Sequence, residues 1–192
     1  MQFDFKLKKY LDKKAEKNWQ LLIDPPQKKY NSFIIVPAKA ESKNIPQLLD
    51  SISNQNKNYL KKCLIIIVIN SSSNDSKDVI NDNNETIKYL SENVFNFDLS
   101  YVNAKLPLKN AGVGLSRKIG ADLALKYSNE SSLICYTDAD VIISIDYLEI
   151  IVDYYKKHSC GCAVLGFKHQ KNDDPIIEKS INIYERFLLK TA

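Results

Sequence analysis

Leu133-Ile134-Cys135-Tyr136-Thr137-Asp138-Ala139-Asp140 joins an apolar, strand-forming run to two carboxylates one residue apart, and Val141-Ile142-Ile143 follows at once. A strand that stops at a pair of acids places anionic oxygens at the carboxyl edge of a sheet, where open α/β folds bind ligands. Hard carboxylate oxygens suit Mg²⁺ or Mn²⁺. Mg²⁺ usually takes one or two of them and completes its shell with water and substrate phosphates. The plain alternative is a strand followed by an acidic turn, since Asp favours turns through bonds to its own backbone. The flanking sequence bears on the choice.

Upstream, apolar strands alternate with helical stretches from Ser32 onward, the pattern of a mostly parallel sheet with helices on both faces. Phe33-Ile34-Ile35-Val36 is a first strand, expected to stop at Pro37. A helix follows from Asn44, with Pro46 in its first turn and Ile45, Leu48, Leu49 and Ile52 on one face. Leu64 to Ile69 is continuously apolar, as expected of a strand buried on both sides, and it runs into the polar turn Asn70 to Asp75. Ser76 to Ser91 reads as a helix, although Asn81 to Asn84 is a poor interior, open to interruption. Leu99 to Val102 is a further strand, and Ala111 to Tyr127 a glycine-opened helix. Beyond Asp140, Asp146 to Lys157 reads as a helix, Cys162 to Phe167 as a strand, and Pro175 to Leu189 as a last helix. Successive strand ends should line one crevice.

The chain's 192 residues suffice for one domain with a substantial core. A net charge of +4, from 27 Lys and Arg against 23 Asp and Glu, is too small and dispersed to imply nucleic acid. No apolar stretch approaches the roughly 20 residues of a membrane span, and the amino terminus lacks the apolar core of a secretory signal. A soluble, cytoplasmic segment is expected. Residues 3–22 space Phe3, Phe5, Leu7, Leu11, Trp19 and Leu22 among lysines in a partly amphipathic helical pattern, and Pro25-Pro26 breaks it before a linker at Gln27 to Asn31. A basic amphipathic helix can lie on an anionic membrane surface, but packing on its own domain is the commoner use.

Cys63 and Cys135 sit in apolar runs and read as buried hydrophobes. Cys160 and Cys162 lack the second pair or histidines of a structural zinc site, and His158 and His169 fall in no metal-binding spacing. Gly112 and Gly114 could bring backbone amides near a phosphate. The ordinary reading, a tight loop needing open dihedral space, is preferred. With no third glycine at dinucleotide spacing and no strand leading into it, the segment is not a nicotinamide fingerprint.

Four turns now stand in order: Pro37-Ala38-Lys39-Ala40-Glu41, Asn70 to Asp75, Asn110 to Arg117, and Asp138-Ala139-Asp140. In that order the chain resembles the family 2 glycosyltransferases, whose donor-binding half has the GT-A fold, over about residues 32 to 167. Pro37, Ala38 and Glu41 match a Pro-Ala-Tyr-Asn-Glu-like turn, from which Lys39 and Ala40 depart. Ser73 and Asp75 match an Asp-Asp-Gly-Ser-x-Asp turn, where Asn70 and Ser71 replace the two acids. Asn110, Gly112 and Ser116-Arg117-Lys118 match an Asn, Gly, Ala-Arg-Asn stretch, and Asp138 and Asp140 supply the Asp-x-Asp element.

The resemblance implies an α/β, Rossmann-like GT-A domain over residues 32–192, preceded by a helical extension and linker at 1–31. It implies transfer of a sugar from a nucleotide-diphosphate sugar to a glycan, lipid or small-molecule acceptor. Mn²⁺ or Mg²⁺ would be held at Asp140 with Asp138, and Asp138 would also reach ribose. Pro37, Ala38, Lys39, Glu41, Asn70, Ser72 and Asp75 would hold base and ribose, and Arg117 would add a permanent positive charge. Asn70 would offer an amide where a carboxylate usually accepts from the base, which opens the choice of nucleotide. The sequence ends in mid-helix, so a domain cut short on the acceptor side is expected, and no catalytic base is assigned. Two rivals stand beside this reading: a non-catalytic nucleotide-binding or assembly module of the same fold, and a haloacid dehalogenase-like phosphotransferase, which also uses Asp-x-Asp. A nucleotidyltransferase is disfavoured because no glycine-rich phosphate loop follows the first strand.

Overall fold

A computed structural model describes residues 2–158, 161–166 and 168–191. It divides into two compact units, Met1–Lys157 and His158–Ala192. The first is built on a four-stranded, wholly parallel sheet of β1 (Tyr30–Ala38), β2 (Cys63–Ser72), β3 (Asp98–Leu106) and β4 (Ser128–Tyr136), in the spatial order β3-β2-β1-β4. The central pair is apolar at nearly every position because both of its faces are covered. Ile34, Val36, Ile65, Ile67 and Ile69 point to one side, and Phe33, Ile35, Leu64, Ile66 and Val68 to the other.

Helices cover the two faces. On the first lie α2 (Ile45–Ser53), the short α3 (Lys57–Leu60), α4 (Lys77–Glu92) and α5 (Tyr147–Lys157), through Ile45, Leu48, Leu49, Ile52, Leu60, Leu90 and Leu148. The other face carries αR (Val113–Leu125), named for its arginine, whose Ile119, Leu123 and Ala124 are buried. Gly120 brings αR directly onto the sheet: a Cβ there would collide with Ile35 Cγ2 and lie 2.9 Å from Val68 Cγ2. This is the doubly wound α/β architecture expected from the alternating pattern.

The N-terminal helix αN spans Gln2–Lys13, nine residues short of the expected end. Trp19 and Leu21 pack on the αR face instead, Leu22 N donates to Tyr101 O at 2.8 Å, and Ser100 Oγ donates to Ile23 O. The pull of β3 and the sheet face on these residues outweighs helix continuation. Asp122 of αR, 3% exposed, secures the arm: Tyr10 Oη and Glu16 N each donate to it at 2.8 Å, and Lys118 Nζ donates to the same carboxylate.

Four further boundaries differ from the sequence reading. β1 continues through Pro37, which pairs with Val68. Ile35 O accepts from Thr137 N, so residues of that parity face β4, and β4 pairing has ended by Pro37. The missing N–H therefore deprives no ladder partner. β2 runs on through Asn70 to Ser72, because β3 pairs with their backbone whatever the side chains are. α4 passes unbroken through Asn81 to Asn84. Gly112, which precedes αR, has φ 175°, an extended conformation open to any residue, and no described glycine lies in the left-handed region, so the tight-loop reading of Gly112 and Gly114 is not what the backbone shows.

In the second unit, α6 (Pro175–Thr191) is capped by Asp174 Oδ1, which accepts from Ile176 N at 2.8 Å. His169 N donates to Glu185 Oε1 at 2.8 Å and its Nδ1 lies 3.0 Å from the same oxygen, which holds the Glu185 carboxyl below its ordinary range. The strand expected at 162–167 is absent from its described part, and Val164 and Leu165 lie exposed. An apolar run becomes a strand only where another strand supplies its ladder. Phe167 and Cys160 lie outside the described residues. Cys63 is buried and its thiol is pushed up to about 12, Cys135 to about 11, both by burial, in keeping with inert core thiols. Among the described residues no helix is long and apolar enough to cross a membrane.

Candidate functional site

The strand order reverses beside β1: the chain moves outward through β2 and β3, then returns across the sheet to place β4 on β1's other side. At such a switch point the connections leave in opposite directions and open a crevice at the carboxyl ends. A cleft of about 330 Å³ occupies that place. Pro37, Lys39 and Glu41 line it from the β1 end, Asn70 to Ser72 from β2, Ala111 to Val113 from the segment before αR, and Asp138 to Asp140 from the β4 end.

At the β1 end, Ala38 is 1% exposed and belongs to the core, so its side chain is not among the cleft groups. Lys39 Nζ donates to Asp75 Oδ1 at 2.6 Å, and Ser72 N donates to Asp75 Oδ2 at 2.7 Å. Asp75 thus braces the β2 turn with both oxygens. Lys39 and the Ser72 amide hold its carboxyl below the ordinary range. Glu41 Oε2 accepts from Asn44 Nδ2 at 2.6 Å. Ala40 has φ 56°, a left-handed conformation unusual for a residue with a Cβ.

Asn70 corrects an expectation. Its Nδ2 donates to Ala38 O at 3.1 Å and to Val68 O at 3.4 Å, so the amide hydrogens are taken by backbone and only Oδ1 remains to be offered. In hydrogen-bonding terms Asn70 is an acceptor, as a carboxylate would be.

At the β4 end the pleat continues past the strand: Thr137 and Ala139 are buried while Asp138 and Asp140 are exposed. Arg117, on the second turn of αR, reaches Asp138, with Nη2 2.6 Å from Oδ1. Arg117 Nε is a buried donor without a hydrogen-bond acceptor among the described residues. The sequence-derived set therefore divides: Pro37, Lys39, Glu41, Asn70, Ser72, Asp138 and Asp140 line the cleft, Arg117 joins through Asp138, Asp75 braces it through Lys39, and Ala38 lies beneath.

Two residues escaped the sequence reading. Asp82 accepts from Ser42 N and Ser42 Oγ, each at 2.8 Å, and Asn83 bonds to Ala40 N and to Asn70 O, each at 2.9 Å. Their signal was present as the unfavourable helical run Asn81 to Asn84, polar residues whose side chains serve the neighbouring turns.

Residues 33–191 match the family described as Glycosyl transferase family 2. The chain belongs to glycosyltransferase family 2. Its parallel, doubly wound sheet is the GT-A-like fold of that family. The chain is similar to the crystal structure of S. aureus TarS 1-349, at 20% identity and a TM-score of 0.45, over 67% of this chain and 33% of that one. It is also similar to the mannosyltransferase PcManGT from Pyrobaculum calidifontis, a structure in complex with GDP-Man and Mn²⁺, at 19% identity and a TM-score of 0.42, over 80% of this chain and 39% of that one. The chain thus spans well under half of either structure. No curated protein matches it.

The residues present suit a divalent ion of one kind. Among the described residues no three His, Cys, Asp or Glu cluster as an all-protein cage. Two exposed carboxylates at one cleft do suit Mg²⁺ or Mn²⁺, which take few protein ligands and rely on phosphate and water for the rest.

Proposed function

We propose that this family 2 domain binds a nucleotide-diphosphate sugar with Mn²⁺ or Mg²⁺ and serves transfer of its sugar to a glycan, lipid or small-molecule acceptor. The observation that carries the reading is the convergence of the β1, β2 and β4 ends on one cleft holding Asp138 and Asp140, beside a guanidinium with an unused buried donor. A bound divalent ion would act as a Lewis acid toward the departing diphosphate. Asp140 and Asp138 would hold it. Arg117 would offer Nε and its remaining donors to anionic oxygens. Asn70 Oδ1 would accept from the base, and Glu41 would lie near the ribose. No group is assigned as the catalytic base.

Family membership displaces the phosphotransferase rival, whose Asp-x-Asp ends an early strand; here it follows β4. The non-catalytic module remains a second outcome of the same assay, since the chain covers only part of the similar structures. Calorimetric titration of uridine and guanosine diphosphates, with and without Mn²⁺, tests the proposal. Binding should strengthen with Mn²⁺, and Asp140→Ala should remove that gain while leaving the melting temperature within about 2 °C, as expected for an exposed residue. Equal binding with and without Mn²⁺ would refute the metal role. Metal-linked binding with no hydrolysis or transfer of a nucleotide sugar would favour the module.

A further inference from the structure

Asn83 is 4% exposed in the middle of α4, where a polar residue is costly unless each of its hydrogen-bonding groups is used. Oδ1 accepts the Ala40 N–H at 2.9 Å and Nδ2 donates to the Asn70 carbonyl at 2.9 Å. Ala40 can only give a hydrogen there and the Asn70 carbonyl can only accept one, so the partners fix the orientation of the amide. The first contact lies at the end of β1 and the second on β2, so one side chain spans the two strand ends that form one wall of the cleft. It also holds Ala40 at φ 56°, a conformation that persists only where surrounding bonds enforce it. Asp82, the preceding residue, takes the Ser42 N–H and hydroxyl, so the backbone is held on both sides of Glu41.

We propose that Asn83 is a positioning residue of the donor site: by joining the Ala40 N–H to the Asn70 carbonyl it sets the spacing between the Glu41 turn and Asn70. The assignment rests on the donor reading given above. The position needs one donor and one acceptor on a short planar group. An ionised Asp lacks the donor, Leu lacks both, and Gln carries both one methylene too far.

The test uses the full chain, with uridine and guanosine diphosphates plus Mn²⁺ as probes. At about pH 8, Asn83→Asp should bind the better probe roughly tenfold more weakly than wild type, because a carboxylate would face the Asn70 carbonyl. At about pH 5.5 the ratio to wild type should narrow, since a buried carboxyl titrates high and its protonated form again supplies a donor. Lys39 and Glu41 of the β1 turn, Asp75 of the β2 turn, and Asp82 and Glu85 of α4 are common to both proteins, so the ratio isolates the new carboxyl. Asn83→Gln should weaken binding at both pH values alike, which keeps the test open if the first variant fails to fold. Ala40 amide exchange should quicken in either variant while that of Ile67, deep in the sheet, does not. Unchanged affinity in both variants, or weakening in Asn83→Asp that is the same at both pH values with Ala40 exchange unaltered, would overturn the assignment. A wild-type chain that binds neither diphosphate sinks the donor reading itself and takes this assignment with it.

Discussion

Ala40 and Asp75 show how much of this site depends on single side chains. A Cβ in the left-handed region costs about 1–2 kcal/mol, while Gly adds roughly 0.5–1 kcal/mol of backbone entropy to be lost on folding. Ala40→Gly should therefore raise stability by up to about 1.5 kcal/mol, read as a higher denaturant midpoint with unchanged slope. Asp75 sets a pH dependence. Its carboxyl titrates lower folded than unfolded, so the stabilisation from its bonds to Lys39 and Ser72 is complete above the unfolded value of about 3.9 and is lost as pH falls through the folded one. Lys39→Met should move the Asp75 titration, followed by carboxyl-carbon NMR, upward toward that value; an unmoved midpoint would mean that the ion pair is not formed in solution. The acidic residues of the site were legible because a strand ending in Asp-x-Asp exposes alternate positions. The bracing role of Asp75 and the spent amide of Asn70 were not, since both depend on partners some 32 to 36 residues away.

Among the elements, αR shows what packing demands of sequence. Gly120 lies where a methyl would strike Ile35, so Gly120→Ala should cost about 1–3 kcal/mol and lower Tm by roughly 2–12 °C in a thermal melt. Retention of wild-type Tm would show that αR can ride outward from the sheet at little cost. The central strands were readable from composition, because burial on both faces requires apolar residues throughout. Their ends were not: Asn70 to Ser72 are polar in sequence yet extended in β2, since a ladder engages backbone alone. Helix α4 persisted through Asn81 to Asn84 for a related reason, its side chains bonding outward to Ala40, Ser42 and Asn70 rather than competing for its own backbone. Residues 162–166 illustrate the converse, a strand-like run whose described part lies unpaired.

At the scale of the Met1–Lys157 unit, the sheet, its two helical layers and the N-terminal arm cohere around a few long-range ties. Asp122 makes two of them. Asp122→Ala would strand the Tyr10 hydroxyl and the Glu16 amide, while Lys118 Nζ keeps its bond to Lys14 O, at a cost of roughly 2–4 kcal/mol. Limited trypsin digestion should then cut faster at Lys13, Lys14 and Lys17 while the sheet stays intact; equal rates would mean that the arm is held elsewhere. The same tie imposes an order on biosynthesis. Tyr10 emerges from the ribosome 112 residues ahead of its acceptor, so at about 5–20 residues per second it waits roughly 6–22 s for a partner. Throughout that interval Trp19 and Leu21 have no αR to pack beside, so the earliest part of this unit to be translated stays unsettled until Ile119, Leu123 and Ala124 have reached the sheet.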